Sequence, residues 1–471
     1  MMSGRLSYSG ILKEYGTLPG TAIREEIREI LDSIPVKIVI LDDDPTGIQT
    51  VHGCLLLTNW KKENLQTAFN DKSPFFYILT NSRSVNAKEA ERINREIIEA
   101  VLQVNEAYNH KLIFISRSDS TLRGHFPVEP ETISATLARH NRAPSLPVFF
   151  IPCLIEAGRF TIGNIQYLKE GDDLVPVNET EFSRDNVFHY DHADLTEYII
   201  EKSGRRINRE DIGNISLEIL RSGSHGELVK ILAALKHKRF VIVNALDYYD
   251  LYTFSYPILK GSMDSGNPLI IRSSSSMPKA ISGIPDKPFL EKKELIKGDK
   301  PGIFIVGSHV QKATEQVHEL LKDSKITGIE GDIQQIMSDP GNLINYMTDR
   351  IAQTWSMGNT PVIYTSREEI RLKNKTDRLQ LGNKISGFLV SIVTNLREQP
   401  GYIVAKGGIT SHDILTRGLH IDSARVSGQI IPGVPVIVTG KAHKFPEMPY
   451  IIFPGNVGDE NAMKTVLEIL S

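Results

Sequence analysis

Carboxylates follow the first predicted strand of the chain, and they are the residues best suited to chemistry. Asp42, Asp43 and Asp44 come directly after the apolar run 36–41 and are followed closely by Thr46. Apolar runs rich in β-branched residues suit strands that are buried on both faces, and open α/β sheets bind ligands beyond the carboxyl ends of such strands. This loop therefore predicts a ligand-binding or catalytic site.

Two enzyme classes compete for this loop. The spacing Asp42-x-Asp44-x-Thr46 matches the D-x-D-x-T pattern of phosphatases that form an aspartyl phosphate, whereas the same carboxylates could instead hold substrate hydroxyls or a metal. The phosphatase class also needs a later acidic pair at the end of a buried strand. The best pair is at 172–173, but residues 167–171 do not predict a buried strand. We keep the phosphatase as an alternative only.

Arginines stand at the same kind of position in two more loops. Arg83 follows one apolar run, and Arg117 and Arg123 follow the next, with Asp119 between them. A guanidinium is suited to two-point capture of a carboxylate or phosphate, and a carboxylate can accept hydrogen bonds from sugar hydroxyls. These loops predict a site for a small, hydroxylated anion.

Three loops in the second half combine an apolar strand with small residues whose backbone amides are accessible. Glycines let a backbone approach an anion closely, helix N-termini supply unpaired N–H groups, and hydroxyls add donors. None fits the P-loop or the dinucleotide fingerprint, so the loops predict a polyphosphate site of a less common kind. They are Gly307-Ser308-His309, Lys406-Gly407-Gly408-Ile409-Thr410-Ser411 and Pro454-Gly455-Asn456-Val457-Gly458.

Hydrophobic periodicity predicts the elements that position these loops. Helical spacing precedes Pro35, Asn86 with Glu89 predicts a helix N-terminus, and short apolar runs alternate with helical segments in both halves. The stretch 281–302 is rich in Pro, Gly and Lys and predicts a linker. We predict an α/β protein with two α/β domains, 1–280 and 303–471, each with a largely parallel sheet flanked by helices.

Composition narrows the function class. Lys plus Arg total 54 against 57 Asp plus Glu, a net charge of -3, so no overall field favours nucleic acid or an anionic membrane. The two cysteines have no metal-binding spacing, and no run has the roughly 20 apolar residues needed to span a bilayer. We expect a cytoplasmic protein that acts on a small molecule, with no nucleic-acid or membrane partner and with homo-oligomerisation left open.

Taken together, the loops resemble the four-carbon acid sugar kinase family, and the likeness covers nearly the whole chain. The order of the motifs is specific, although each motif alone is not. The segments that carry the resemblance are Asp43-Asp44 with Thr46-Gly47, Thr80-Asn81-Ser82-Arg83, Asp119-Ser120-Thr121-Leu122-Arg123-Gly124, Gly407-Gly408 with Thr410-Ser411, Gly428-Gln429-Ile430-Ile431-Pro432-Gly433 and Pro454-Gly455-Asn456-Val457-Gly458.

The resemblance implies that the first domain binds a sugar acid and the second binds ATP with Mg²⁺. The reaction would be phosphorylation of a terminal hydroxyl of threonate, erythronate or an oxo derivative, with a branched acid such as 3-oxo-isoapionate and a non-catalytic binding protein as alternatives. Asp43, Asp44 and Asp119 would be catalytic, and Arg83 and Arg123 would hold the carboxylate. The other substrate-binding residues would be Asn81, Ser82, Arg117, Ser120 and Gly124. The nucleotide-binding residues would be Ser308, His309, Gly407, Gly408, Thr410, Ser411, Gly428, Gly433, Gly455 and Asn456, while the metal ligands stay unassigned.

Overall fold

A computed structural model describes residues 5–142, 146–223, 225–265, 268–308, 310–366 and 375–471. The predicted nucleotide-binding residue His309 lies outside these ranges. The chain divides into two compact units, one formed by the residues up to Val51 with Asn59–Asp286, and one by His52–Thr58 with Lys287–Ser471. The predicted α/β class is confirmed.

The strands of the described residues, in chain order, are β1 (Leu6–Ser7), β2 (Val36–Asp42), β3 (Leu55–Leu57), β4 (Phe75–Leu79), β5 (Lys111–Arg117), β6 (Val148–Ile151), β7 (Arg159–Ile162), β8 (Ile165–Glu170), β9 (Asp173–Pro176), β10 (Ile212–Ile215), β11 (Phe240–Val243), β12 (Leu269–Ser273), β13 (Ile303–Val306), β14 (Ile326–Gly331), β15 (Thr360–Thr365), β16 (Ile403–Lys406), β17 (Ser423–Ile431), β18 (Val434–Thr439) and β19 (Pro449–Phe453).

The α-helices of the same residues are α1 (Tyr8–Tyr15), α2 (Thr21–Ser33), α3 (Lys62–Asn70), α4 (Ala87–Asn105), α5 (Val128–Asn141), α6 (Leu195–Lys202), α7 (Leu217–Ser222), α8 (His225–Leu235), α9 (Tyr248–Ser265), α10 (Ser276–Ile281), α11 (Lys292–Leu295), α12 (Gln311–Leu320), α13 (Ile333–Ser338), α14 (Pro340–Ser356), α15 (Lys375–Thr394), α16 (Gly408–Asp413) and α17 (Ala462–Leu470). None of the helices described here is long and apolar enough to cross a bilayer.

The main sheet of the first unit is parallel, in the order β10-β11-β6-β12-β5-β2-β4. Every residue of β2 and β4 is buried, as expected for parallel strands covered on both faces. The predicted helix start at Asn86 is confirmed, because its side chain accepts a hydrogen bond of 3.1 Å from the Glu89 amide and begins α4. The parallel arrangement places the carboxyl ends of these strands along one edge.

A second sheet in the first unit was not predicted. Strands β1, β9, β8 and β7 form a small antiparallel sheet in that order. Its β8 strand, Ile165–Glu170, covers most of the stretch 167–171, and Lys169 and Glu170 in it are exposed, so the prediction that this stretch is not a buried strand is confirmed. Its strands are short, and β8 alternates only weakly between buried and exposed residues. Such strands leave little periodic signal in a sequence.

The sheet of the second unit has the order β3-β17-β18-β19-β16-β13-β15-β14. Strands β19, β16, β13, β15 and β14 are parallel, whereas β3, β17 and β18 pair antiparallel. Because β18 is antiparallel to β19, the turn that precedes Val434 lies at the same edge as the end of β19 and the end of β16. This edge carries the glycine-rich loops.

The structure differs from the predicted domain boundaries in two places. The strand β3 lies early in the chain but pairs with β17, so residues 52–58 belong to the second unit. The predicted linker 281–302 is not a free connection, because Leu290 and Leu295 are buried in the hydrophobic core of the second unit. Its Pro and Lys content suggested a linker. Composition alone does not show which of the apolar side chains between the polar ones are buried.

Candidate functional site

The register of the first sheet brings the predicted acidic and basic residues to one edge. Asp42 at the end of β2 is level with Arg117 at the end of β5, and Arg117 is level with Ser273 of β12. The loops after these strands therefore emerge side by side. This confirms that the chemistry-bearing residues of distant segments share one location.

Asp42 and Arg117 form a buried ion pair beneath this location. The Arg117 Nη1 lies 2.8 Å from Asp42 Oδ1, both side chains are almost fully buried, and Arg117 Nε also donates to the Ser275 hydroxyl at 3.2 Å. Burial raises the pKa of Asp42 to about 7, although the nearby Arg117 charge opposes this rise. Asp42 Oδ2 has no hydrogen-bond partner among the described residues. An enclosed carboxyl group that is paired with an arginine is a poor nucleophile.

Asp43 and Asp44 share one arginine. The Arg83 Nη2 atom lies 2.9 Å from Asp43 Oδ1 and 3.3 Å from Asp44 Oδ2. The hydroxyls of Ser118 and Thr46 donate to Asp43 and Asp44 respectively. Burial alone would raise the pKa of Asp44, but Arg83, Arg117 and the Thr46 hydrogen bonds hold it below its usual value. These two carboxylates are held in fixed positions.

The loop after β5 carries the third predicted carboxylate. Arg123 Nε donates to Asp119 Oδ2 at 2.8 Å, and the Thr121 hydroxyl donates to the same oxygen. Burial works against ionisation of Asp119, but Arg123 and Arg83 hold its pKa well below the usual range. The Arg123 guanidinium also lies 4.9 Å from the centre of the Phe182 ring. Asp119 is therefore ionised at neutral pH.

Gly124 ends this loop for a steric reason. Its φ is +128°, a conformation that side-chain-bearing residues rarely adopt. A Cβ atom at this position would overlap the Ser118 hydroxyl and would lie 3.3 Å from Asp43 Oδ2. The glycine therefore allows the loop to approach the Asp43 carboxylate closely.

The other predicted substrate-binding residues contribute mainly to the framework. The Asn81 side chain donates to Ser84 Oγ at 3.0 Å, and the Ser82 hydroxyl donates to the buried carboxylate of Glu129. The Ser120 carbonyl accepts a 2.9 Å hydrogen bond from Gln166 Nε2. These contacts hold the three loops in register with the rest of the unit.

Sequence reasoning missed three charged residues near this location. Glu129 is buried in the first turn of α5, and burial together with the Asp43 charge raises its pKa to about 7. Arg272 is the penultimate residue of β12 and is only 1% exposed, and Arg159 begins β7. Arg272 followed by four serines after an apolar run was a detectable signal of a strand end, whereas nothing in the sequence distinguished Glu129 or Arg159.

The acidic pair that a phosphatase would need, Asp172 and Asp173, lies in the small antiparallel sheet and makes structural contacts there. Asp172 lies in the turn between β8 and β9, accepts a 2.8 Å hydrogen bond from the Ser7 hydroxyl and accepts a 2.9 Å hydrogen bond from the Ser9 amide. These contacts fasten the N-terminal segment to the small sheet. They do not build the metal-binding arrangement of an aspartyl-phosphate phosphatase.

In the second unit, the predicted loops meet at the carboxyl edge of the parallel strands. Gly407 has a φ of +111°, and a Cβ atom there would lie 3.2 Å from Ser308 Cβ. A Cβ atom on Gly455 would lie 3.6 Å from Ser308 Oγ. The loops after β13, β16 and β19 therefore lie close together, and a side chain at Gly407 would be strained.

The remaining predicted nucleotide-binding residues are Thr410, Ser411 and the two glycines of the β17–β18 hairpin. A Cβ atom on Gly407 would lie 3.5 Å from Thr410 Oγ1, and Ser411 Oγ donates to the Ala405 carbonyl at 2.8 Å. Gly433 lies in the turn at the loop edge, whereas Gly428 lies inside β17, level with Val436. Gly428 is therefore set back from the loops that the other residues form.

Lysines accompany these loops, although the sequence analysis did not single them out. Lys406 Nζ donates to the Pro454 carbonyl at 2.7 Å and lies 4.0 Å from the centre of the Phe453 ring. Lys312, in the first turn of α12, has its Nζ 3.5 Å from the Asn456 carbonyl oxygen. Burial, with a smaller contribution from Lys312, lowers the pKa of Lys406 to about 7. Two cations beside glycine loops and a helix N-terminus suit a polyphosphate.

The described residues contain no group of three or more His, Cys, Asp or Glu side chains that could hold a metal ion. Mg²⁺ often binds proteins through one or two carboxylates and the phosphates of a nucleotide rather than through a dedicated cage. The carboxylates described above are already paired with arginines or hydroxyls. We therefore assign no protein ligands to a magnesium ion.

Family models match both units. Residues 38–281 match a model described as a sugar-binding N-terminal domain, and residues 303–463 match one described as a nucleotide-binding C-terminal domain. No curated protein matches the chain at a significant level. The first match covers the acidic and arginine loops, and the second covers the glycine-rich loops.

Solved structures share the fold. A Haemophilus influenzae protein of the family model DUF1537 is 16% identical, with a TM-score of 0.66, covering 93% of this chain and 100% of that chain. A Salmonella typhimurium LT2 protein provisionally named a tRNA synthase is 15% identical, with a TM-score of 0.67, covering 92% of this chain and 98% of that chain. At these identities the likeness concerns the fold alone.

Proposed function

Since the chain belongs to the four-carbon acid sugar kinase family, we propose that it is an ATP-dependent kinase that phosphorylates a terminal hydroxyl of a small sugar acid. Threonate, erythronate and an oxo derivative are the first candidates, followed by a branched acid such as 3-oxo-isoapionate. The observation that carries the proposal is the ion-pair cluster in the sugar-binding unit, where Asp43, Asp44 and Asp119 are held in place by Arg83 and Arg123.

Fixed carboxylates suit the acceptor side of phosphoryl transfer. The attacking hydroxyl needs a hydrogen-bond acceptor that orients it, and the transfer itself depends mainly on positioning and electrostatic stabilisation. Asp43 is held by Arg83 and Ser118, and Asp119 is held by Arg123 and Thr121, so neither side chain has to reorganise when a hydroxyl binds. We propose that Asp43, Asp44 and Asp119 orient the substrate hydroxyls, and that one of them accepts the proton of the attacking oxygen.

Backbone amides and lysines suit the donor side. The loops at Ser308, Gly407 and Gly455 lie close together, and Lys406 and Lys312 add positive charge. Such groups stabilise phosphate oxygens without specifying the rest of the ligand. We propose that this edge of the second unit binds the phosphates of ATP, with Gly408, Thr410 and Ser411 at the start of α16 contributing.

The proposal is tested by following ADP formation by the purified protein with ATP and a panel of sugar acids that differ in length, configuration and branching. ADP release that depends on one or a few acids would support a kinase. ATP binding together with acid binding, but with no ADP formed, would favour a sugar-acid binding protein that has lost transfer. Absence of binding of either ligand would contradict the proposal.

A further inference from the structure

In the ion-pair cluster of the sugar-binding unit, the positive and negative charges are nearly balanced before any substrate binds. Arg117 is paired with Asp42 and Asp43, and Arg83 is paired with Asp43 and Asp44. A substrate carboxylate that entered this cluster would meet carboxylates as well as guanidiniums. A like charge at short range opposes binding unless a further cation compensates it.

Arg123 is engaged in the same way. Its Nε donates to Asp119 at 2.8 Å, its Nη1 lies 3.9 Å from Asp185 Oδ2, and its plane faces the Phe182 ring. The two arginines that the sequence suggested for carboxylate binding, Arg83 and Arg123, are therefore already bound to carboxylates of the chain itself.

Two arginines near the cluster lack such a partner. Within the described part of the chain, neither Arg159 nor Arg272 has a carboxylate oxygen within ion-pair distance. Arg272 Nη1 donates to the Ser273 carbonyl at 2.8 Å, its Nε and Nη2 have no partner, and its side chain is 1% exposed. A substrate group would have to displace packed protein to reach it, so Arg272 is the weaker candidate.

Arg159 is less enclosed than Arg272. It is half-buried, its Nη1 donates to the Ala157 carbonyl at 2.6 Å, and its buried Nε has no partner. On the same face of β7, Thr161 donates to Gln166, whose amide donates to the Ser120 carbonyl of the cluster loop. Arg159 lies within electrostatic range of both Asp119 and Arg123, and burial together with the Arg123 charge lowers its pKa. An anion beside the half-buried Arg159 guanidinium would balance its positive charge.

We infer that Arg159, supplied by the small antiparallel sheet, binds the carboxylate of the sugar acid, whereas Arg83 and Arg123 are positioning residues that hold Asp43 and Asp119. This inference rests on the proposed function, because it concerns the acid that the kinase phosphorylates. It makes the small sheet, and not only the strand-end loops, a determinant of the preference for acids over neutral polyols.

The test measures binding without ATP, so that it does not depend on turnover. Calorimetry would give Kd for threonate and for erythronate, and for threitol and erythritol as the neutral polyols, on the parent, Arg159→Met and Arg159→Lys. Arg184→Met is the matched control, since Arg184 is an exposed arginine of the same unit. Melting curves check that each variant folds. If Arg159→Met does not fold, Arg159→Lys takes its place in the test.

We expect Arg159→Met to weaken binding of the acid about 10- to 100-fold, as for loss of a hydrogen bond to a charged group. Arg159→Lys should recover part of this loss, and binding of the polyols should not change. Parent-like acid affinity in a folded Arg159→Met or Arg159→Lys would overturn the inference. If the parent binds acids but forms no ADP, the kinase proposal fails while the Arg159 comparison still decides this inference. If the parent binds no acid, both are overturned.

Discussion

The two candidate sites use different parts of the polypeptide. In the sugar-binding unit, recognition groups are side chains fixed by ion pairs, such as Asp43 and Asp44, which Arg83 holds in place. In the nucleotide-binding unit, they are mostly backbone groups of the glycine-containing loops, which approach each other near Gly407 and Gly455. A polyol acid requires acceptors and donors at particular places, whereas a polyphosphate can be held by many equivalent amides. Substitutions in the two sites should therefore have different effects on catalysis and ligand binding.

The largest effect is expected from Asp43→Asn, which should lower kcat about 10²- to 10⁴-fold, as for loss of a proton acceptor. Asp43 also balances Arg83 and Arg117 and is 2% exposed, so the free energy of unfolding should fall by about 3 kcal/mol. Steady-state kinetics and denaturant unfolding measure the two effects. Asp172→Asn, which alters a hydrogen-bonded carboxylate of the small sheet, is the control. A parent-like kcat in Asp43→Asn would remove Asp43 from the mechanism.

The next largest effect should follow from Gly407→Ala in the second unit. Its φ of +111° and the 3.2 Å approach to Ser308 leave no unstrained place for a Cβ atom. ATP affinity should fall about tenfold or more while acid affinity stays unchanged. Gly440→Ala is the control, since its Cβ would meet nothing within 4 Å. Calorimetry would measure the affinity of each variant for each ligand. If Gly407→Ala bound ATP as tightly as Gly440→Ala, the assignment of this loop to ATP binding would be refuted.

A smaller, pH-dependent effect is expected at Lys406. Its pKa is about 7 in the folded protein and 10.5 ordinarily, so its charge is lost as the pH rises through about 7. Only the ammonium form attracts phosphate, so ATP affinity should fall up to about tenfold between pH 7 and 9. Proton uptake on binding, seen as buffer-dependent calorimetric enthalpy, should vanish in Lys406→Met.

Lys444→Met provides the matched control for this titration. Lys444 also donates to a carbonyl, that of Thr394 at 3.0 Å, and lies 4.7 Å from the centre of the Phe445 ring. It belongs to the loop after β18, at the opposite edge of the sheet from the glycine loops. Loss of proton uptake in Lys444→Met, or its persistence in Lys406→Met, would show that another group titrates.

The smallest effect should come from Arg123→Lys. The variant keeps the positive charge but loses the planar group that bonds Asp119 and faces Phe182. With the carboxylate on Arg159, we expect KM for the acid to rise only a few-fold, kcat to fall by a similar factor, and the free energy of unfolding to fall by about 1 kcal/mol. If KM rose more in Arg123→Lys than in Arg159→Lys, Arg123 and not Arg159 would be the residue that binds the substrate carboxylate.

The sequence allowed the strand-end residues to be predicted because an apolar run that stops at a charge is a local signal. Asp42, Arg117 and the three glycine-rich loops were located from the ends of apolar runs, and the family order of the motifs added the hairpin glycines Gly428 and Gly433. Pairings such as Arg83 with Asp43 depend on which strands are neighbours, and the sequence alone does not specify this. Glu129 resembles an ordinary acid in the first turn of a helix, although its side chain is buried. Arg159 lies in a sheet whose short strands were not predicted.

Phosphorus NMR of the complete reaction tests the central claim most directly, because it identifies where the phosphoryl group goes. With ATP and the acid that gives most ADP, we predict a new phosphate monoester whose signal is split by the two protons of a terminal carbon. The monoester and ADP should form in equal amounts. A spectrum that shows ADP and inorganic phosphate with no monoester would contradict the account, since ATP would then be hydrolysed without transfer to a sugar acid.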